Sequence, residues 1–162
     1  MTKLQYRKEI QCEQSFYDTT FSGWLFGKVS YKQGLYLKCL RWAEWYDTHS
    51  GVFNKLFSLW YKYRLHRLSW KLGYQIPLHT CGMGLRIHHW GTLIINGKAK
   101  IGTGGVIYPG VVIGQTDDNS IPRIGDNVFI GLGAKVLGGV VVGNNVTIAP
   151  NAVVVNPHCH LS

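Results

Sequence analysis

No uncharged apolar run in this sequence approaches the roughly eighteen residues that a membrane-spanning helix needs, which excludes a bilayer-spanning role. Cysteine is scarce and unpatterned. Cys12, Cys39, Cys81 and Cys159 show no C-x-x-C or other metal-ligand spacing, so no metal site is expected. Scattered thiols without a secretory leader point to a reduced, cytoplasmic protein in which all four stay free. Acidic residues are also few, 8 Asp/Glu against 17 Lys/Arg, for a formal charge of +9. The imbalance is local. Up to Ile76 there are 12 basic against 5 acidic residues, net +7; from Pro77 there are 5 against 3, net +2. A basic first half suits an anionic partner: cofactor phosphates, a polyanionic acceptor or a membrane surface. No groove-reading motif is present, so nucleic acid is not expected among those partners.

What the chain does have is a count of six. In "IGDNVFIGLGAKVLGGVVVGNNVTIAP" the residues Ile124, Ile130, Val136, Val142 and Ile148 recur at that interval, and Val154 continues the series. Four residues after each of the first five stands Val128, Ala134, Val140, Val146 or Ala152. A helix repeats its apolar positions every three or four residues and a two-sided strand every two, so neither explains the interval. A three-sided coil of short strands does. The sixth residue fills the axis, while the small or compact one fits a corner whose tight dihedrals suit the intervening glycines and asparagines. Backwards, Ile95, Ile101, Ile107 and Ile113 keep the phase, with Ala99, Gly105 and Val111 at the corner; Met83 with Ile87, then Pro77 with Cys81, extend it. "GQTDDNSIPR" exceeds one hexad by about five residues and reads as a loop at 114–123. A sandwich is disfavoured because its turns are irregularly spaced.

The first half keeps a helical rhythm. Leu35, Leu37, Leu40, Trp42 and Trp45, then Phe53, Leu56, Phe57, Trp60, Leu65 and Leu68, predict a helical hairpin over 31–47 and 52–72, with Ser50 or Asp47 as caps. The expected organisation is an α-helical region, 1–76, covering the open end of a coil domain, 77–162. "KLFSLWYKYRLHRLSWK" also reads as a basic amphipathic helix, a pattern that lies on the inner face of an anionic membrane.

The chemistry-bearing stretch is "GMGLRIHHWGTLIINGKAKIGTGGVIYPGVVIGQ". Its Gly-Leu-x-Ile-x-His-x-Gly-Thr-x-x-Ile-Asn pattern, followed by Ala-x-Ile-Gly, resembles the serine acetyltransferase-like branch of the hexapeptide acyltransferases. The hairpin leading into "YQIP" further resembles members from polysaccharide synthesis. That resemblance implies a left-handed parallel β-helix of about four coils, a homotrimer with sites between subunits, and acetyl transfer from acetyl-CoA to a hydroxyl. It places His89 at the catalytic histidine. A hydroxyl is a poor nucleophile until a base near neutrality takes its proton, which agrees with a histidine there. The hexad phase, however, puts His89 in an axis slot six before Ile95, so either the first turns are irregular at Gly84 and Gly91 or His88 is the exposed base. His79 reads as a surface or capping residue, and His158 and His160 fall in a short tail.

By the same resemblance, coenzyme A contacts come from late coils. The matching residues are Gly114, Gly131, Gly133, Ala134 and Ala149, with Lys135 or Arg123 meeting a phosphate. Relatives also carry a tail over coenzyme A that "NAVVVNPHCHLS" matches poorly. Serine acetyltransferases carry an aspartate before the catalytic histidine and an Arg-His pair after the loop; here His88, Ser120 and Ile121 stand there, and no aspartate that would orient the base is evident. These departures favour a sugar hydroxyl of capsular or exopolysaccharide synthesis as acceptor. The alternatives are serine O-acetylation and a non-catalytic β-helix scaffold. Exposed Leu132, Val141, Val153 and Val155 are the expected contacts between copies.

Overall fold

The computed structural model of the chain describes residues 1–155. Cys159, His158 and His160 lie outside the described residues. Two compact units divide the chain, Met1–Tyr74 and Gln75–Ser162.

The first unit is helical: α1 (Lys3–Gln14), α2 (Phe21–Leu25), α3 (Val29–Thr48) and α4 (Val52–Leu72). A capping box starts α1: the Thr2 hydroxyl accepts from Gln5 N at 3.3 Å and Gln5 Oε1 accepts from Thr2 N at 2.9 Å. α3 and α4 pack on each other and bury Tyr36, Leu37, Leu40, Ala43 and Leu65. Ser50 and Asp47 do not cap α4. Gly51, at φ +119°, is the N-cap and no side chain bonds there, while Asp47 lies inside α3 and pairs with Lys62. Arg41 of α3 is buried, with Nη2 2.9 Å from Glu13 Oε1 and Nη1 3.0 Å from Glu44 Oε2. Burial alone lowers its pKa, but the hydrogen bonds and charges of the two carboxylates outweigh that, and the net shift is upward. Tyr6 donates to the Arg41 carbonyl at 2.7 Å, so α1 is tied to α3 through polar groups as well as Ile10. Tyr74 goes with the helices: Gln33 Nε2 donates to its hydroxyl at 2.8 Å and the Tyr36 ring meets it edge-on.

After β1 (Tyr74–Gln75) the second unit is a parallel β-helix. Its strands are β2 (Arg86–Ile87), β3 (Leu93–Ile95), β4 (Lys100–Ile101), β5 (Val106–Ile107), β6 (Val112–Gly114), β7 (Arg123–Ile124), β8 (Phe129–Ile130), β9 (Lys135–Leu137), β10 (Val141–Val142), β11 (Thr147–Ile148) and β12 (Val153–Val155). Within this unit they stack as β3-β6-β9-β12, β4-β7-β10 and β2-β5-β8-β11. The interior holds one aliphatic side chain per strand. Ile95, Ile101, Ile107, Ile113, Ile130 and Val136 are each no more than 4% exposed. Full burial of such a side chain is worth about 1.5–3 kcal/mol, so the hexad residues carry the core.

Register turns the count of six into geometry. Three sides make a coil of 18 residues, and Val141 does stand opposite Arg123, and Val153 opposite Lys135. Where Val112 faces Lys135 the step is 23, which accommodates the five extra residues of the loop. Where Arg86 faces Val106 the step is 20. Two residues are therefore added between β2 and β3, and the hexad phase carried backwards through Met83 and His89 is corrected. Ile87 and Cys81 take the axis slots of the first coil, with Leu85 buried between them and Cys81 bridging to Ile101, whereas Met83 is half-buried.

Candidate functional site

The two added residues make the site. From Ile87 the chain must reach Ile95 in eight residues instead of six, and the surplus, His88-His89-Trp90-Gly91, bulges at the corner between β2 and β3. Gly91 takes φ +138°, which L side chains rarely adopt, and a Cβ there would come within 3.1 Å of Pro109 Cβ. Both histidines are consequently exposed, and so is Trp90. His89 does not occupy the axis slot its phase suggested.

The same edge of the prism recurs in every coil. The backbone ladder runs His88 N to Ile107 O at 3.3 Å, Tyr108 N to Ile130 O at 3.1 Å and Gly131 N to Ile148 O at 2.9 Å, which lines up His88, Tyr108, Gly131 and Ala149 in one column. The Tyr108 ring stacks on His88, with centroids 4.7 Å apart and planes 14° from parallel. His89 stands beside them, 6.1 Å from Tyr108 and 6.5 Å from His88 between ring centroids. Loss of hydration, then the charges of His89 and Arg86, hold His88 below the ordinary imidazole pKa. Tyr108 was missed in the sequence, where it counts only as the residue after an axis isoleucine.

Gly131, Gly133, Ala134, Lys135 and Ala149 lie along this edge in the next coils. They do not present themselves equally. Ala134 is fully buried and faces the interior, and a Cβ on Gly131 would meet Pro150 N at 2.6 Å, so both have a packing role. Lys135 Nζ donates to the carbonyls of Gly110 at 2.8 Å and Gly133 at 2.7 Å, which pins two successive corners together. Gly114 and the exposed Arg123 flank the loop, between a different pair of sheets, and are not brought to the histidine edge. His79 is exposed at φ +61°, its carbonyl taking Lys100 Nζ at 2.7 Å.

Among the described residues of the second unit, no carboxylate lies on this edge. The second unit has three, Asp117, Asp118 and Asp126. Asp117 organises the loop, accepting from the backbone of Asn119 and Ser120 at 2.9 Å each, and the Ser120 hydroxyl holds its pKa down. Asp118 lies in the same loop, and Asp126 accepts from Thr103 N at 2.7 Å at another corner. A cavity of about 1030 Å³ in the helical unit, bordered by Arg7, Lys38 and Trp42, is lined by none of the candidate residues.

A parallel β-helix built from hexads, with a histidine corner, defines a class, and residues 121–156 match the family model described as bacterial transferase hexapeptide (six repeats). The fold is the left-handed β-helix of the acetyltransferases it superposes on. In sequence the chain is similar to serine acetyltransferases. It is 37% identical over 123 residues to that of Synechococcus elongatus, covering 73% of this chain and 48% of the relative. To that of Staphylococcus xylosus it is 42% identical over 83 residues, 49% of this chain and 38% of the relative. The solved Brucella abortus serine acetyltransferase in complex with coenzyme A superposes with a TM-score of 0.61 at 25% identity, covering 90% of this chain and 57% of that one. The chain thus spans about half, or less, of the curated relatives it matches. These relatives are serine acetyltransferases and lend no support to the polysaccharide-synthesis branch expected from the hairpin.

Proposed function

We propose that the protein transfers an acetyl group from acetyl-CoA to the hydroxyl of serine, with His89 as general base. The observation that carries this reading is an exposed imidazole on a corner that the coil widens by two residues to accommodate it. Sequence likeness to serine acetyltransferases supports the acceptor, and the coenzyme A complex of the Brucella relative supports the donor. His89 takes the hydroxyl proton as the oxygen attacks the thioester carbonyl. A tetrahedral oxyanion forms, which hydrogen-bond donors aimed at that oxygen would stabilise. It collapses with loss of the thiolate, which recovers the proton from the imidazolium and leaves as the free thiol. The acceptor attacks directly, so no covalent acyl-enzyme is required. Gly131, Gly133, Lys135 and Ala149 continue the edge along which the donor's pantetheine arm runs, and a second copy, meeting Leu132 and Val141, supplies the facing wall of a homotrimer.

A second reading has its own support. Serine carries an ammonium group, and the three carboxylates of the coil lie elsewhere, while the rings of His88 and Tyr108 stand beside His89. That lining suits an uncharged hydroxyl such as a sugar's. Thiol release from acetyl-CoA, measured with serine and with a panel of sugars, separates the two. His89→Ala is expected to reduce turnover by about a hundred- to ten-thousand-fold. An unchanged rate would overturn the role of His89, and no release with any acceptor would leave a scaffold.

A further inference from the structure

We infer that the outer face of α4 is a docking surface for an anionic lipid bilayer. This reading stands apart from the acetyl-transfer site and uses none of its residues. α4 shows two faces. Ser58, Leu65 and Leu72 are buried, and from that side the helix packs on α3. On the opposite side Val52, Leu56, Trp60, Tyr63 and Trp70 fall in one stripe at helical spacing, all exposed, Trp70 by 79%. Phe53, 78% exposed, stands at its margin. An apolar stripe of about 30 Å on a 21-residue helix is too long to be incidental surface.

Charge identifies the occupant. α4 contains Lys55, Lys62, Arg64, Arg67 and Lys71 and no aspartate or glutamate. Lys62 is committed to Asp47; among the described residues Lys55, Arg64, Arg67 and Lys71 form no ion pair. On a helical wheel Lys55 and Lys62 border one side of the stripe, Arg64 and Lys71 the other, with Arg67 within it. The Arg64 guanidinium lies 4.9 Å over the Trp60 ring, and Arg67 donates to the Tyr63 hydroxyl at 3.2 Å. A second copy seated on this face would set the same cations against one another with no acid on α4 to compensate them. Anionic headgroups compensate all of them at once, while tryptophan and tyrosine are the side chains that settle at the boundary between headgroups and acyl chains. The helix would lie in the plane of the bilayer without crossing it; no helix among the described residues is long and apolar enough to cross.

The test is co-sedimentation of the full chain with phosphatidylcholine vesicles, with and without phosphatidylglycerol, alongside sedimentation velocity in the absence of lipid. The expected result is binding that needs phosphatidylglycerol and weakens with added salt. Lys55→Gln/Arg67→Gln/Lys71→Gln should reduce partitioning by about a hundredfold, at about fivefold per cation. Trp60→Ser/Trp70→Ser should reduce it without changing far-UV circular dichroism, because both rings are exposed. Failure to bind phosphatidylglycerol vesicles, or equal binding to phosphatidylcholine alone, would overturn the inference. So would a smaller sedimenting species for the tryptophan variant, since the face would then belong to a second copy.

Discussion

His88 and His89 are adjacent in sequence and both exposed, and His88 is the one stacked on a neighbouring ring. His88 lies flat against Tyr108 and has its pKa lowered, first by loss of hydration, then by His89 and Arg86. An unfolded chain titrates this imidazole near 6.5, above its folded value, so below that pH the unfolded state binds more protons. Its contribution to stability is therefore fully present above the unfolded value and lost as pH falls through the folded one. Thermal melts of the wild type and His88→Gln, taken from neutral pH downward, should show the wild type losing its midpoint more steeply; parallel curves would refute the coupling. Lys135 poses a different question, because its ammonium already serves two carbonyls. Lys135→Met should cost about 1–3 kcal/mol in urea unfolding, whatever it does to the donor's Michaelis constant. A stability unchanged by that substitution would hand the residue back to the cofactor. The histidines were legible in the sequence; Tyr108 was not. Its place beside His88 follows from a step of 20 residues between strands, and that step is visible only once the two added residues are located.

Elements repeat that lesson in the backbone. The axis residues from Ile95 to Ile148 were legible because the interior of a narrow prism admits one aliphatic side chain per side, and the sequence obeys that without exception. The five-residue loop was legible as an excess over the count. The first coil was not, since two residues added at one corner leave an aliphatic pattern, Met83 and Ile87, that mimics the hexad in the wrong phase. In the helices, length was legible from the apolar spacing, but the cap was not, because Gly51 ends the turn by conformation without a side-chain bond. The coil's corners set a strict limit on side chains. A Cβ on Gly82 would meet the carbonyl carbon and oxygen of Gly102 at 2.7 Å, and these are backbone atoms that the ladder holds in place. Gly82→Ala should therefore destabilise by about 1–3 kcal/mol, as overpacking does. Urea unfolding monitored by circular dichroism checks this, and a neutral outcome would mean the corner can widen.

At the scale of the molecule, the division of charge follows the division of structure: net +7 up to Ile76 and net +2 beyond it. The coil is the less charged unit, and its outward apolar side chains have a consequence for the proposed acetyl transfer. His89 stands on a convex corner, and a convex corner gives a thioester one wall. A pantetheine arm held against one wall keeps most of its surface in water, so a productive cleft needs a second surface. Leu132, 49% exposed, lies one residue past Gly131 on the histidine edge, and Val141, 78% exposed, lies on a second sheet. Two apolar sites on different sides of a prism are what a ring of three copies requires, each copy offering one side and receiving the next. Leu132→Asp would put a charge into that contact without touching the coil interior. If the proposed trimer forms, sedimentation velocity should then show it giving way to monomer, with association weakened by about tenfold or more. Thiol release should fall in step, although His89 and Tyr108 are intact and circular dichroism is unchanged. A variant that stays trimeric yet loses activity would make Leu132 a donor-site residue, and one that is monomeric and fully active would show that a single edge suffices.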